Sequence, residues 1–314
     1  MTRVAAVDLG TNSTRLLVAD VHGEELVEVV RRQTITRLGE GVDRRRRLLP
    51  LPIARVRNCL TDYRREVERL GATRTLVVAT SAVRDADNGE ALLGEIEWSY
   101  GFTTRLLDGE EEAAMTARGV IATTPPNGDT LIVDIGGGST ELVFCSNGWA
   151  AASRSLDVGC VRLSEQFLFS DPPTKAELIA AAGYVGWSLP TYDARTAIGV
   201  AGTVTTLATL DLGLEEYDPK RTHGHRMSRA AVEEQLRRLA GLPVAKRARV
   251  QGIEPGRAEV IVAGIVILGE IMDAYGLLEI EVSERDILHG AAYAAAGLPE
   301  LEEAAAPPGA YVCC

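Results

Sequence analysis

The stretch TLIVDIGGGSTELVF (130–144) sets three consecutive glycines behind an apolar, β-branched run, and a near copy, VAAVDLGTNSTRLLV (4–18), opens the chain. The two align without a gap, with Asp8 on Asp134, Gly10 on Gly136, Ser13 on Ser139 and Thr14 on Thr140. Thr11 and Asn12 stand against Gly137 and Gly138, and Arg15 stands against Glu141. One repeat at so long a spacing predicts two like domains, each opening with the same supersecondary unit.

The bulk of the sequence agrees with that division. A chain of 314 residues has room for two domains with their own cores. Its 46% hydrophobic and 25% charged content is ordinary for a globular protein. No apolar run is long enough to cross a membrane. MTRVAAVDLG has one basic residue and runs straight into a strand, so it does not read as a signal peptide, and the cytoplasm is the expected location. A net charge of −11 argues against a nucleic-acid scaffold. Cys59, Cys145, Cys160, Cys313 and Cys314 form no CxxC and no His-linked pattern, so neither a zinc site nor a disulfide framework is expected. The terminal pair Cys313–Cys314 reads as a frayed tail, or as a lipid or redox site.

DRRRRLL (43–49) and KRTHGHRM (220–227) are cationic islands in this acidic chain. Such islands serve either as solvated surface or for polyanion capture. His223 and His225 have the spacing of a metal pair but no carboxylate or Cys beside them, so they read with Arg44 to Arg47 as a cationic strip.

The pattern of elements is α/β. RVAAVDLG and STRLLVADV predict a hairpin, and EELVEVVRRQTITRL continues its sheet. Apolar residues at 53, 56, 60, 63, 67 and 70 predict a helix closed by Gly71. TRTLVVATSAVR reads as a buried strand entering a loop, DADNGEALLGEIEWSYG as a helix, FTTRLLDG as a short strand and GEEEAAMTARGVIAT as a helix. PPNGD (125–129) is the strongest break. Beyond it come hairpin strands over 130–155, helices over 161–168 and 174–188, and the strand RTAIGVAG running into the helix TVTTLATL. A helix opened by Ser228, the apolar helix EPGRAEVIVAGIVILGEIMDAYG, the strand LEIEVSE and the helix RDILHGAAYAAAG complete the series.

A carboxylate at a strand end followed by glycine-rich backbone suits phosphate. Glycine admits close approach, and consecutive amides form an anion nest. Ser13, Thr14, Ser139 and Thr140 add hydroxyl donors. The aspartate itself repels phosphate, and makes sense if it holds a divalent cation. A dinucleotide fingerprint needs GxGxxG between strand and helix, whereas IGGGST leads into another strand, and no GxxxxGK[ST] is present. IGVAGTVTTLA (198–208) is a third phosphate-competent turn, where a helix start offers free N–H groups. A plain tight hairpin is the alternative for GGG, and two matching copies weigh against it.

This combination resembles the superfamily of actin, sugar kinases and heat-shock chaperone ATPases. More closely, VAAVDLGTNSTRLLV, DGEEEA, VDIGGGSTEL, GTVTTLA and VSERDILHG together resemble the exopolyphosphatase / guanosine pentaphosphate phosphohydrolase family (Ppx/GppA). The resemblance implies two duplicated ribonuclease-H-like (actin-like ATPase) domains flanking a central cleft. It divides the chain into 1–123 plus about 287–303, 124–286, and a loose tail 304–314. It implies hydrolysis of the terminal phosphoanhydride of inorganic polyphosphate or of pppGpp by water with Mg2+ or Mn2+, with a homodimer left open. A non-catalytic polyphosphate or nucleotide sensor is the competing class.

Within that resemblance Glu112 takes the place of the catalytic base. Its neighbours Glu110 and Glu111 equally suit a helix N-terminus. Asp8, Asp134 and Glu141 match the metal-linked carboxylates. Thr11, Asn12, Ser13, Arg84, Gly136, Gly137, Gly138, Ser139, Gly202 and Thr203 would hold phosphate oxygens, Arg84 by the bidentate geometry arginine favours, although an arginine after a strand is also a common surface ion-pair partner. Two departures stand out. ILHG puts His289 where many members carry Arg, and no C-terminal HD-like domain follows, which shifts the expectation toward short polyphosphate chains.

Overall fold

The computed structural model describes residues 1–122 and 125–299. Cys313, Cys314, the tail 304–314 and the expected junction at 123/124 lie outside the described residues. Two compact units emerge, Met1–Thr123 with Ile287–Cys314, and Thr124–Asp286.

Unit 1 begins with β1 (Thr2–Leu9), β2 (Ser13–His22) and β3 (Glu25–Ile35), then α1 (Val42–Arg45), α2 (Pro50–Leu70) and β4 (Arg74–Ala79). It continues through α3 (Ser81–Arg84), α4 (Gly89–Tyr100), β5 (Thr103–Leu106) and α5 (Gly109–Ile121). Unit 2 holds β6 (Thr130–Ile135), β7 (Thr140–Ser146), β8 (Trp149–Leu156), α6 (Cys160–Phe167), α7 (Lys175–Ser188), β9 (Thr196–Val200) and α8 (Ala201–Asp211). Then follow α9 (Pro219–Thr222), β10 (Arg226–Ser228), α10 (Arg229–Ala240), α11 (Val244–Arg247), α12 (Ile261–Ala274) and β11 (Glu279–Val282). The chain returns to unit 1 as α13 (Ile287–Ala296).

The strand orders expose the duplication. Unit 1 has β3-β2-β1-β4-β5, and unit 2 has β8-β7-β6-β9-β11 with β10 added at the edge. In both, the first three strands are an antiparallel meander and the next pair in parallel. This is the α/β, duplicated ribonuclease-H-like arrangement that the repeat and the resemblance imply.

Side-chain alternation along β1 feeds two cores. Val7 and Leu9 pack with Val56, Leu60 and Val67 of α2 and Ile96 of α4. Val4 and Ala6 pack with Met115 of α5 and Leu288, Ala291 and Ala292 of α13. α2 starts with Pro50 at its first turn and ends at Gly71, whose φ of 69° lets it cap the helix from the left-handed region. Unit 2 has its own core, in which Leu131, Val133 and Ile135 of β6 meet Ile265, Leu268 and Ile271 of α12. Each such fully buried aliphatic side chain contributes roughly 1.5–3 kcal/mol.

Three local expectations needed correction. TSAVR coils into α3, with the Val83 and Arg84 amides donating to the Thr80 carbonyl, rather than staying a loop. The apolar helix starts only at Ile261, because Pro255–Arg257 forms a separate 3₁₀ turn with i to i+3 bonds. Of the DRRRR segment, read only as a charge run, Asp43 to Arg45 join Val42 in α1 and Arg46 caps it from the left-handed region. Among the described residues no helix is long and apolar enough to cross a membrane.

Candidate active site

The two repeated turns fold alike. The Gly10 amide donates to the Ser13 carbonyl at 3.1 Å, and the Gly136 amide to the Ser139 carbonyl at 3.0 Å. Each turn is also held from behind. In unit 1 the Thr36 and Arg37 amides donate to the Asn12 carbonyl and the Gly39 amide to the Thr11 carbonyl. In unit 2 the Cys160 amide donates to the Gly136 carbonyl, the Val161 and Arg162 amides to the Gly137 carbonyl, and the Arg162 guanidinium to the Gly138 carbonyl at 2.8 Å. With carbonyls so engaged, the turns keep donors for an anion. Asn12 makes this concrete: its side-chain nitrogen is buried and has no hydrogen-bond partner. A buried donor without an acceptor costs on the order of 1–3 kcal/mol, which a phosphate oxygen would recover. Thr11 and Ser139 are buried beside these turns, while Ser13 is partly exposed.

Electrostatically the turns diverge. Asp8 pairs in register with Arg15, and both the Nε and an Nη of Arg15 donate to Asp8 Oδ2, at 2.9 and 2.7 Å. Asp134 pairs in register with Glu141, so two carboxylates stand opposite each other on one face of the β6–β7 ladder. They are 6% and 1% exposed, and Ser155 of β8 donates to Glu141 Oε1 at 2.8 Å. Like charges directly opposite in a ladder are destabilising, and more so when desolvated. Mg2+ is commonly held by one or two carboxylates together with substrate phosphates, so the donor set of Asp134 and Glu141 fits such an ion. Asp8 fits it less well, since its charge is matched by a guanidinium. Among the described residues no group of three or more His, Cys, Asp or Glu side chains forms a metal cluster.

On α5 the three adjacent acids separate by environment. Asp108 caps the helix by accepting from the Glu111 amide, and Glu111 returns a carboxylate oxygen to the Asp108 amide. The Arg105 guanidinium on Glu111 holds that carboxyl below its ordinary range. Glu110 is exposed. Glu112 turns inward, 7% exposed, where an Nη of Arg84 donates to its Oε2 at 3.1 Å and to the Leu107 carbonyl at 2.7 Å. Arg84 comes from the end of α3, directly after β4, so the sheet places both partners.

At the third turn α8 begins two residues earlier than expected, at Ala201, which has a φ of 66°. A non-glycine residue there is strained, and such strain gathers at ligand-holding turns. Gly202 and Thr203 lie in the first helical turn. A Cβ on Gly202 would collide with the Arg257 guanidinium, so only glycine lets that cation lie against the helix start. Thr203 is buried, with its hydroxyl on the Cys160 thiol, which burial pushes up to about 11.

The ILHG departure finds a structural explanation. His289 is 1% exposed and its Nε2 lies 2.9 Å from Glu28 Oε1 of β3. A Cβ on Gly290 would strike the Met115 carbonyl, so the glycine lets α13 press against α5, the helix that carries Glu112. The histidine strip is also partly spent. His225 pairs with Asp211 at 2.6 Å, the Glu284 amide donates to His223 Nδ1, and Arg226 bridges to Glu279 and Glu281.

Arg15, Ser155, Arg162 and Arg257 were not singled out from the sequence as site residues. The hairpin spacing that pairs Asp134 with Glu141 pairs Asp8 with Arg15 too, so that signal was present. Arg257 carries no local signal in EPGRAEV.

Duplicated ribonuclease-H-like units bearing glycine turns and a buried acid held by arginine define a two-unit α/β phosphohydrolase. The particular family follows from comparison: the Ppx/GppA phosphatase family model matches residues 17–297, and this chain belongs to that family. Exopolyphosphatase 2 of Mycobacterium tuberculosis is 40% identical over 95% of this chain and 99% of its own. The crystal structure of an exopolyphosphatase-like protein aligns with a TM-score of 0.85 at 32% identity, over 92% of this chain and 97% of the other. The Aquifex aeolicus Ppx/GppA family member aligns with a TM-score of 0.79 at 30% identity, over 92% and 95%. Members of the family generally use divalent cations.

Proposed function

We propose that this chain is an exopolyphosphatase that releases terminal orthophosphate from inorganic polyphosphate, short chains included, with Mg2+ or Mn2+. The observation that carries this reading is the divergence of two like turns, one with an orphaned donor at Asn12 and one with an opposed carboxylate pair. Donors for phosphate and acids for a cation are what phosphoanhydride hydrolysis requires beyond a positioned water.

Glu112 is the acid that orients and deprotonates the water. Arg84 donates to its Oε2 and fixes its direction. The water oxygen bonds to the terminal phosphorus, the bridging P–O bond breaks, the proton passes to Glu112, and the chain leaves one phosphate shorter. Thr11, Asn12 and Ser13, the amides of Gly136 to Ser139, and the α8 start at Gly202 and Thr203 with Arg257 bind phosphate oxygens. Asp134 and Glu141 would hold the cation, which supplies charge neutralisation on those oxygens. Asp8 acts through Arg15.

Glu112→Gln tests the reading. We expect orthophosphate release from polyphosphate to fall in kcat by roughly 10²–10⁴-fold while KM stays within a few-fold. Full turnover in that variant would remove Glu112 from the mechanism. Parallel rates on pppGpp, which presents the same anhydride beside a guanosine, decide between the two substrates.

A further inference from the structure

Resting on that reading, we infer that Arg45, Arg46 and Arg47 form a second phosphate subsite in unit 1, which binds the run of phosphates next to the chain end and sets a preference for polyphosphate over compact triphosphates. Three observations lead there. All three side chains are exposed. Among the described residues none of them makes an ion pair, whereas Arg57, Arg64, Arg65, Arg69 and Arg105 of the same unit are all matched to carboxylates. The segment that carries them is also tied at one end to the Asn12 turn and at the other to the residues that follow Arg84.

At one end the Gly39 and Arg37 amides donate to the Thr11 and Asn12 carbonyls at 2.8 and 2.9 Å, so the segment grows directly out of the unit 1 turn. At the other end the Asp87 amide donates to the Arg46 carbonyl at 2.8 Å. The Asn88 side chain bonds both the amide and the carbonyl of Leu48, at 2.8 and 3.1 Å. Asp87 and Asn88 lie three and four residues after Arg84, the partner of Glu112. Chain connectivity alone holds Arg45 within roughly 20 Å of Gly39, and the coil of α1 shortens that. The cluster is therefore anchored between the Asn12 turn and the Arg84 segment.

A surface that displays unmatched guanidinium groups on a fixed backbone is costly in self-repulsion and gains only when an anion arrives. Asp43 and Glu40 are the acids nearest in sequence, Glu40 being paired with Arg55, and Asp87 adjoins through its amide on the Arg46 carbonyl; these acids offset part of the charge. Guanidinium groups bind phosphate oxygens in pairs. A linear polyanion of regular charge spacing can satisfy several at once, which a single terminal phosphate cannot. Because the cluster is short, its gain saturates once a few phosphates cover it. That fits a short-chain enzyme as well as a long-chain one.

The test compares wild type with Arg45→Gln/Arg46→Gln/Arg47→Gln on tripolyphosphate, short-chain and long-chain polyphosphate. In wild type KM falls from tripolyphosphate to short chains and then levels. In the variant KM for short and long chains rises at least tenfold, kcat stays within twofold, and KM for tripolyphosphate changes less than about twofold. The slope of log KM against log salt for short chains falls by about two to three, as expected for lost phosphate contacts. An Arg45→Lys/Arg46→Lys/Arg47→Lys variant retains most of the affinity.

An unchanged KM on short chains overturns the subsite. So does an equal rise on tripolyphosphate, or an equal rise in the exposed-surface control Arg65→Gln/Arg69→Gln/Arg237→Gln. The same comparison by direct binding of short-chain polyphosphate, with Glu112→Gln as background, needs no turnover. If wild type releases no orthophosphate, the parent reading fails while the binding arm still decides the subsite.

Discussion

At residues 8–15 an aspartate faces an arginine across a tight hairpin; at 134–141 an aspartate faces a glutamate. The backbone of the two turns is the same, down to the glycine amide that closes each on a serine carbonyl. One cross-strand residue changes the pair from a carboxylate facing a guanidinium to two carboxylates facing each other. The scaffold is repeated and a single position sets the two turns apart: on the proposed reading, unit 1 offers donors to phosphate and unit 2 holds the cation.

The widest separation between the turns should come from removing the equivalent aspartates. Asp134→Asn relieves the carboxylate pair, so the half-saturating metal concentration rises tenfold or more and turnover falls on the order of a hundredfold. Asp8→Asn strands a largely buried Arg15, costing about 3 kcal/mol of stability read as a lower Tm or denaturant midpoint, without moving the metal dependence. If Asp8→Asn shifts the metal requirement as Asp134→Asn does, the division of labour is wrong.

Asn12→Ala sharpens the donor side of the comparison. It deletes a buried nitrogen that has no partner, so stability in the absence of phosphate should stay within about 0.5 kcal/mol. KM for polyphosphate should rise about tenfold, read by phosphate-release kinetics. A stability loss without a KM change would make Asn12 structural.

The smallest effect belongs to the two capping boxes, Asp108 with Glu111 in unit 1 and Thr174 with Glu177 in unit 2. The Thr174 amide and neighbouring donors hold the Glu177 carboxyl down to about 2, against an ordinary 4.5. Its stabilisation is therefore complete above the ordinary value and is lost as pH falls from about 4.5 to about 2. Glu177→Gln should flatten that part of the acid-unfolding curve and leave catalysis untouched. Glu111→Gln should behave likewise, in contrast to Glu112→Gln one residue on.

Much of this was legible beforehand. Hairpin strands, the helix after Pro50 and the order of elements follow from periodicity and from glycine and proline positions, which act over a few residues. The α3 coil and the late start of α12 escaped because their bonds depend on Thr80 and on the Pro255 turn, where several local conformations are close in energy. Glu111 and Glu112 are indistinguishable in GEEEA; the capping box and Arg105 engage Glu111, whereas Glu112 is buried on Arg84, a partner distant in sequence. His289, which stands where many members carry arginine, is a partner of Glu28.

The chain by itself determined a duplicated α/β fold, because strand and helix periods and a repeated glycine turn are short-range properties of backbone and pattern. Tertiary structure decided which charges face each other. The Arg15 grip on Asp8, the placing of Arg257 against Gly202 and the anchoring of Arg45 to Arg47 beside the Asn12 turn depend on packing between distant segments, and electrostatic energy depends on those distances and on the water excluded with them.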